Sequence, residues 1–164
     1  MVLPFLRRDR YEVPLQCRPL TRVVLPFAFG DGVLMNSFSV KSNYREEMID
    51  ITSQVAAEIP DGSGICVLFT QHTTCGLTIN ENADPDVQSD MLGFLNRLIP
   101  QYDEHFKHFE HNSDAHIKSS LVGSSVTVPF EKGKLLLGRW QGIYLCEFDG
   151  PRERTVLVQM MNAE

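Results

Sequence analysis

Three groups of residues in this chain have the types and spacing to do chemistry. The first is the stretch QHTTCGLTINENADPDV, Gln71 to Val87. It crowds one His, three Thr, two Asn, two Asp and one Glu around a few apolar residues. Asn80, Glu81, Asn82 and Asp84 offer hard oxygen atoms to a cation, or hydrogen bonds to a polar ligand. Capping a helix uses one or two such residues, fewer than are present. The second group is HFKHFEHNSDAHIKSSL, with His105, His108, His111 and His116. Imidazole nitrogens ligate metals and move protons near neutral pH. None of these histidines has a zinc-finger or HExxH spacing. The three loop histidines read as solvated, and His116, at the start of a short helix, is the better candidate. Lys118, Ser119 and Ser120 follow it and can cradle a phosphate, lysine as a point charge and the hydroxyls as donors. Ordinary helix-start chemistry accounts for them equally well. The third group is Trp140-Gln141, an aromatic beside an amide between Gly138 and Gly142. It suits the wall of a heteroaromatic pocket or the packing of a bend.

The elements that must position these residues follow from pattern. NSFSVKS, from Asn36, alternates as a strand. Asn43 and Glu46 have capping-box spacing, and Met48, Ile51, Thr52, Val55 and Ile59 recur as on a helix. Asp61-Gly62-Ser63-Gly64 is a turn. Ile65 to Phe69 is apolar on both faces, as in the centre of a sheet. Asp84-Pro85 opens a second helix with an N-cap and a proline at its first position. Val87, Met91, Phe94, Leu95 and Leu98 form its apolar stripe, and Pro100 ends it. A short helix spans Ala115 to Leu121. Strands at 125–130, 134–139, 143–148 and 155–160 follow, with turns at Glu131-Lys132-Gly133 and Asp149-Gly150. The order predicts an α+β fold with a mixed, largely antiparallel sheet and helices packed on one face.

Composition bounds the function. At 164 residues and 43% hydrophobic, the chain suits one domain with a real core. Its net charge of −6 argues against a nucleic-acid partner. No apolar run approaches the roughly 20 residues of a membrane span. Cys17, Cys66, Cys75 and Cys146 form no CxxC pair and read as buried free thiols, in keeping with a cytoplasmic protein. Residues 1–34 stand apart, with five Arg, four Pro and a net charge of +2. They read as an extension, poorly ordered to at least about residue 20. Targeting by this arginine-rich segment is the alternative, and the compact domain spans 35–164.

HTTCGLTINENADPDV, NSDAHIKSSLVG and GRWQGIYLCEFDGPRERTVLVQ, taken together and in order, resemble the YjbQ-like family, over about Ser37 to Met160. That family is described as uncharacterised proteins with a secondary thiamine-phosphate synthase activity. The resemblance implies a compact α+β homotrimer acting on a phosphorylated small molecule. By motif position it implies a site of His72, Thr73, Thr74, Asn80, Asn82 and Asp84, then Asn112, His116, Lys118 and Ser119, then Trp140, Gln141 and Glu147. The implied reaction condenses a pyrimidine methyl diphosphate with a thiazole phosphate. It calls for a divalent metal, Mg²⁺ or Zn²⁺, at His72, His116, Glu81 or Asp84. Lys118 would neutralise the leaving diphosphate beside it, Trp140 would hold a ring, and His72 or His116 would move a proton. The chain departs from the family pattern at Asp114, where many relatives carry His or another non-acidic residue. A trimeric metal- or ligand-binding protein without turnover, or an enzyme acting on another phosphorylated small molecule, is the alternative function.

Overall fold

A computed structural model of the chain describes residues 33–162, so the expected disorder of the first 20 residues and the arginine-rich segment lie outside the described residues. The described residues form eight strands and three helices in an α+β arrangement. Every strand pairing is antiparallel, and the strands divide into two sheets. The larger has the order β1 (Val33–Lys41), β8 (Glu153–Asn162), β3 (Ser63–Thr70), β5 (Ser125–Glu131), β6 (Lys134–Leu135). The smaller is β2 (Glu47–Asp50), β7 (Gln141–Glu147), β4 (Cys75–Glu81).

The layering follows from which strands are apolar on two faces. In β7, Ile143 and Leu145 point into the main core with Cys66, Leu68, Val128, Val156 and Val158 of the larger sheet. Alternate residues Tyr144 and Cys146, with Phe148 beyond, point the other way and pack with Ala115, Leu92 and Leu95 of the helices. The smaller sheet is therefore the middle layer, sheet on one side and helices on the other, which is why its central strand is buried along nearly its whole length. Helices α2 (Pro85–Leu98) and α3 (Ser113–Val122) cover one face, as the pattern predicts. β3 lies in the middle of its sheet, with Cys66 and Leu68 inward, but Ile65 and Phe69 on its other face are exposed.

Several expectations change. Residues 43–59 do not form one helix: Glu47–Asp50 pairs with β7 as strand β2, and only Thr52–Ala56 (α1) is helical. Backbone pairing with a fully buried strand outweighs a weak helical period. Ile51 and Val55, both fully buried, keep the i, i+4 contact that the period registers. The expected capping box at Asn43 and Glu46 does not form: the Asn43 and Tyr44 amides donate to Glu47 Oε1 in the loop before β2, and α1 follows Ile51 with no side-chain cap bond. Cys75–Glu81, read only as a polar stretch, is strand β4. The stripe of α2 is turned by one residue: Leu92 and Leu95 meet the sheet, while Phe94 and Leu98 are exposed. The strand expected over 134–139 stops at Leu135. Pro129 accepts a bond from Leu136 N at 2.8 Å but has no N–H to return, so the ladder ends there. Asp84 caps α2 as expected, accepting from Asp86 N at 2.9 Å.

A buried ionic network fixes α3. Lys118 is 1% exposed, and its Nζ donates to Glu46 Oε1 at 2.7 Å, Asn96 Oδ1 at 2.5 Å and Asp114 Oδ2 at 3.0 Å. Asp114, fully buried, also accepts from both terminal nitrogens of Arg45, at 2.9 and 3.1 Å. Burial pushes the Asp114 carboxyl up, but the bonds from Arg45 and Lys118 together outweigh it and hold it below the usual carboxylate range. At the other end of α3, Gly76 of β4 lets the chain come close: a Cβ there would lie 2.8 Å from Gly123 O and 2.9 Å from Val122 Cγ1.

Removing one partner of such a network leaves a buried charge uncompensated. Asp114→Ala is therefore expected to lose about 3–5 kcal/mol of stability in urea unfolding at pH 7. The Asp114 contribution is fully present above the carboxyl's unfolded pKa and is lost as pH falls through its lower folded value, so the parent and the variant should converge in acid. A loss below about 1 kcal/mol at neutral pH, the range of a surface pair, would show that the network does not hold α3.

Candidate functional site

The turn between β3 and β4 carries His72, Thr73 and Thr74, and the start of α3 carries Asn112 and His116. The two meet because Ser119 Oγ donates to Thr73 O at 2.6 Å, tying the helix to the turn. Two cavities open along this seam and share His72, Thr73 and His116. One, of about 510 Å³, runs past Cys75, Ser120 and Ser124. The other, of about 330 Å³, is walled by Asn112, Glu110, Asp149, Arg152 and Arg154. His108 stacks edge-on against His116 with ring centroids 5.6 Å apart, so one loop histidine flanks the site.

The neutral ring of His72 is held in one tautomer. Its Nε2 accepts from Thr155 N at 2.9 Å, so in the neutral ring Nδ1 carries the proton. Burial, then the nearby Arg154 charge, push its pKa below the ordinary value, against a smaller opposing pull from Glu147. Behind it lies a buried ion pair. Arg154, 4% exposed, donates from Nε to Glu147 Oε2 at 2.6 Å and from Nη2 to Thr74 Oγ1 at 2.8 Å. Glu147, fully buried, also accepts from Ser42 Oγ, Phe148 N and Asp149 N. Thr74 thus belongs to the frame that positions His72. Asp149 is set by Arg152, whose Nη2 donates to its Oδ2 at 2.8 Å, and by Asn112 Nδ2 at 2.9 Å.

The residues that the sequence motifs draw together divide into two places. His72, Thr73, Thr74, Asn112, His116, Ser119 and Glu147 lie at one end of the middle sheet. Asn80, Glu81, Asn82, Asp84, Trp140 and Gln141 lie at the other. Cys75 pairs with Glu147 and Glu81 with Gln141, so the two ends are six residues apart, roughly 20 Å along β4. At the far end the bonds run largely through the backbone. Asn82 N donates to Trp140 O at 2.9 Å, Gln88 Nε2 and Tyr144 Oη donate to Glu81 O at 3.0 and 3.1 Å, and Asn80 Oδ1 accepts from Glu81 N at 2.7 Å. Trp140 is half exposed under the Arg139 guanidinium, 4.8 Å from the ring centroid. Glu81 and Asp84 therefore cannot share a metal with His72 and His116 of the same chain.

Two further expectations are corrected. Lys118 does not reach the cleft, because burial and three acceptors consume all its donors. His72 does not offer a metal its lone pair, since the Thr155 amide already uses it. Among the described residues no three His, Cys, Asp or Glu side chains converge as a metal site. The described residues of a single chain therefore offer no ready-made donor set for a divalent metal. Asp114, the departure from the family pattern, lies in the α3 network and outside the cleft. Cys66, Cys75 and Cys146 are free and buried, and burial pushes the Cys66 thiol up to about 11. Arg152, Arg154 and Asp149 were not singled out as site residues, although all three fall within the third motif.

With this geometry in place, comparison with known proteins identifies the class. The chain matches the family described as UPF0047 protein YjbQ-like over residues 36–163, and it belongs to that family. A UPF0047 protein of Methanocaldococcus jannaschii is 50% identical over 131 residues, covering 78% of this chain and 94% of that one. The UPF0047 protein YugU of Bacillus subtilis is 49% identical, covering 78% and 99%. The solved structure of an uncharacterised YjbQ/UPF0047 protein from Clostridium acetobutylicum superposes with a TM-score of 0.74 at 48% identity, covering 76% of this chain and 98% of that one. A conserved hypothetical protein from Thermus thermophilus gives the same TM-score at 45% identity, covering 76% and 98%. These relatives carry the same α+β fold, and their names assign no activity. Among the described residues no helix is long and apolar enough to cross a membrane.

The bond from Thr155 N predicts how His72 titrates. In an NMR pH titration its ring should protonate below the ordinary histidine range, with Nδ1 protonated in the neutral form. Its contribution to stability should be full above the unfolded pKa and fall as pH drops toward the lower folded value. A ring that titrates at or above 6.5 would overturn the lowering by burial and Arg154, and a neutral ring protonated at Nε2 would rule out the bond from Thr155 N.

Proposed function

We propose that this protein binds a phosphorylated small molecule in the cleft between His72 and His116 and acts on it there. The observation that carries this reading is that two imidazoles and two guanidinium groups, Arg152 and Arg154, line one cavity. Imidazoles serve proton transfer, and arginine is suited to phosphate. The family resemblance supplies the candidate reaction, formation of thiamine phosphate. In it the C–O bond to diphosphate breaks, with the electron pair leaving on oxygen, and the thiazole nitrogen lone pair makes the new C–N bond. Arg152, the outer face of Arg154 and the Nδ1–H of His72 would neutralise the departing diphosphate. Thr73 would line the ring's approach, and His116 would protonate the leaving group. No step needs Lys118. A second reading, binding without turnover, draws support from the commitment of Lys118 to the α3 network, which removes the one lysine in the motif from the leaving group.

We further propose a cytoplasmic homotrimer. Met35, Ile65, Phe69 and Met161 are exposed on the outer face of the larger sheet, with Ile65 directly opposite Met161. A contiguous apolar face of this kind is suited to a second copy.

The test is thiamine-phosphate formation by the purified protein with Mg²⁺ present. His116→Ala should lower kcat by about 100-fold or more with its fold retained, and His72→Ala by a similar factor with a lowered melting temperature, since Thr155 N then loses its acceptor. Rates at background in the parent would move the reading to binding alone. In sedimentation velocity the parent should run as a trimer and Ile65→Glu as a smaller species. A monomeric parent would sink the assembly.

A further inference from the structure

The two imidazoles of the cleft are not equivalent. His72 has no lone pair to give, because its Nε2 accepts from Thr155 N at 2.9 Å and its Nδ1 carries the proton. It can donate to a ligand, and it cannot attack one. His116 has the opposite character. Its backbone oxygen takes the Ser119 and Ser120 hydroxyls, while its ring packs edge-on against His108 and makes no hydrogen bond to a described residue. A neutral His116 ring therefore keeps a free lone pair. The side chain is also accessible from more than one direction. It lines both cavities along the β3–β4 turn and a third, of about 540 Å³, bounded by His105, Phe106 and Ile117.

The wall around this lone pair suits a phosphoryl group. Arg154 spends Nε and Nη2 on Glu147 and Thr74, and Arg152 spends Nε and Nη2 on Asp149. Each guanidinium keeps its Nη1 hydrogens free of described partners, and both line the 330 Å³ cavity with His72 and His116. Guanidinium matches phosphate oxygens in shape and charge. These cations are fixed by their other bonds before any ligand arrives, which is the condition for strong electrostatic stabilisation. Glu110 lies on the same wall, its Oε2 3.7 Å from His108 Nε2, and supplies a carboxyl to carry a proton. A nucleophile with a free lone pair, fixed donors for the oxygens and a proton carrier are the parts of covalent phosphoryl transfer. The cavity is near the lower limit of ligand sites, roughly 300 Å³, so the ester it admits is small.

We infer that the cleft has a further activity, hydrolysis of small phosphate monoesters through a phosphoryl group carried on His116. The free ring nitrogen of His116 attacks phosphorus. The P–O bond to the alcohol breaks with its electron pair on oxygen, and that oxygen takes the proton of the Glu110 carboxyl. Arg152, Arg154 and the Nδ1–H of His72 hold the phosphoryl oxygens throughout. Water then attacks the phosphoryl group and gives a proton to the Glu110 carboxylate, and the N–P electron pair returns to the ring. Alcohol and inorganic phosphate leave, and both residues are restored. This reaction uses the neutral His116 ring, whereas protonating a leaving diphosphate uses the charged one; imidazole populates both near neutral pH. The inference rests on the reading of the cleft as a site for phosphorylated molecules, but it breaks a P–O bond where thiamine-phosphate formation breaks a C–O bond.

The experiment is incubation of the full chain with p-nitrophenyl phosphate, in EDTA to silence contaminating metal-dependent phosphatases. Release of p-nitrophenol is followed, and samples are quenched in alkali, which preserves a histidine N–P bond that acid breaks. Mass spectrometry should find one phosphoryl group on the peptide holding His116, lost on acid treatment. His116→Ala should lose the label and lower kcat by about 100-fold or more. His72→Ala removes a donor and leaves the nucleophile, so it should turn over more slowly yet still take the label. The label on the parent requires no variant, so a misfolded His116→Ala leaves it decisive. No hydrolysis above background, hydrolysis with no phosphoryl group on His116, or a rate that survives in a folded His116→Ala overturns the inference. Calorimetric titration of the parent with inorganic phosphate separates that failure from failure of the underlying reading. If phosphate binds, the cleft remains a site for phosphorylated molecules, and if it does not, both readings fall together.

Discussion

The site depends on one buried ion pair. Glu147 ends the central strand of the middle sheet, and Arg154 begins the inward face of β8 in the larger sheet. Their bond joins two sheets that share no strand. Desolvating two charges costs several kcal/mol each, and a pair recovers that only when the remaining lone pairs are also satisfied. Here they are: Glu147 accepts from Arg154, Ser42, Phe148 and Asp149, and Arg154 also donates to Thr74. Each of those bonds reaches a segment that shapes the cleft. Ser42 also accepts from Arg152 N, Thr74 precedes β4, and Asp149 receives Asn112. The residue after Arg154 donates its amide to His72. The pair is therefore a joint between layers, and its Arg154 adds to the burial that lowers the His72 pKa.

The α3 network does the same work from the other side. Arg45, Glu46, Asn96, Asp114 and Lys118 come from the β1–β2 loop, α2 and α3, and their bonds close without reaching the cleft. Burying so many charges is a poor way to gain stability compared with apolar packing. Its value is geometric. α3 has a narrow apolar side, in which only Ala115 is fully buried, so packing alone would set its rotation loosely. Directional ion pairs set it at His116 and Asn112, where small rotations would move the cleft wall.

This division of labour explains what was legible in the sequence. The strand over 65–69, the Asp84 cap, the helix holding His116 and the late strands rest on local pattern, and local pattern is what a sequence displays. The family resemblance carried the fold. The misses arise from information that is not local. Lys118 next to two serines has the composition of a phosphate cradle, and only the three-dimensional arrangement of Glu46 and Asn96, 72 and 22 residues away, makes it an internal strut. β4 was hidden because its residues Cys75 to Glu81 include Thr78, Asn80 and Glu81, and its apolar side is turned to a partner strand 66 residues later. Asp149, Arg152 and Arg154 look like turn and surface residues until the fold closes them over His72.

The same geometry answers why the chain leaves a buried strand and at once presents so many hydrogen-bonding groups. β4 lies between two polar ends, and the motif contains both. At the far end the side chains of Asn80 and Asp84 accept from Glu81 N and Asp86 N, and the backbone of Glu81 and Asn82 bonds to Gln88, Tyr144 and Trp140. At the near end the balance differs. Thr74 is spent on Arg154, and Nε2 of His72 on Thr155. Asn112 Oδ1 is not spent on any described residue. Polar groups that satisfy one another serve the fold. The His72–His116 end gathers two imidazoles and two guanidinium groups on one cavity, whereas at the far end the side chains of Asn80 and Asp84 hold the chain as it enters α2.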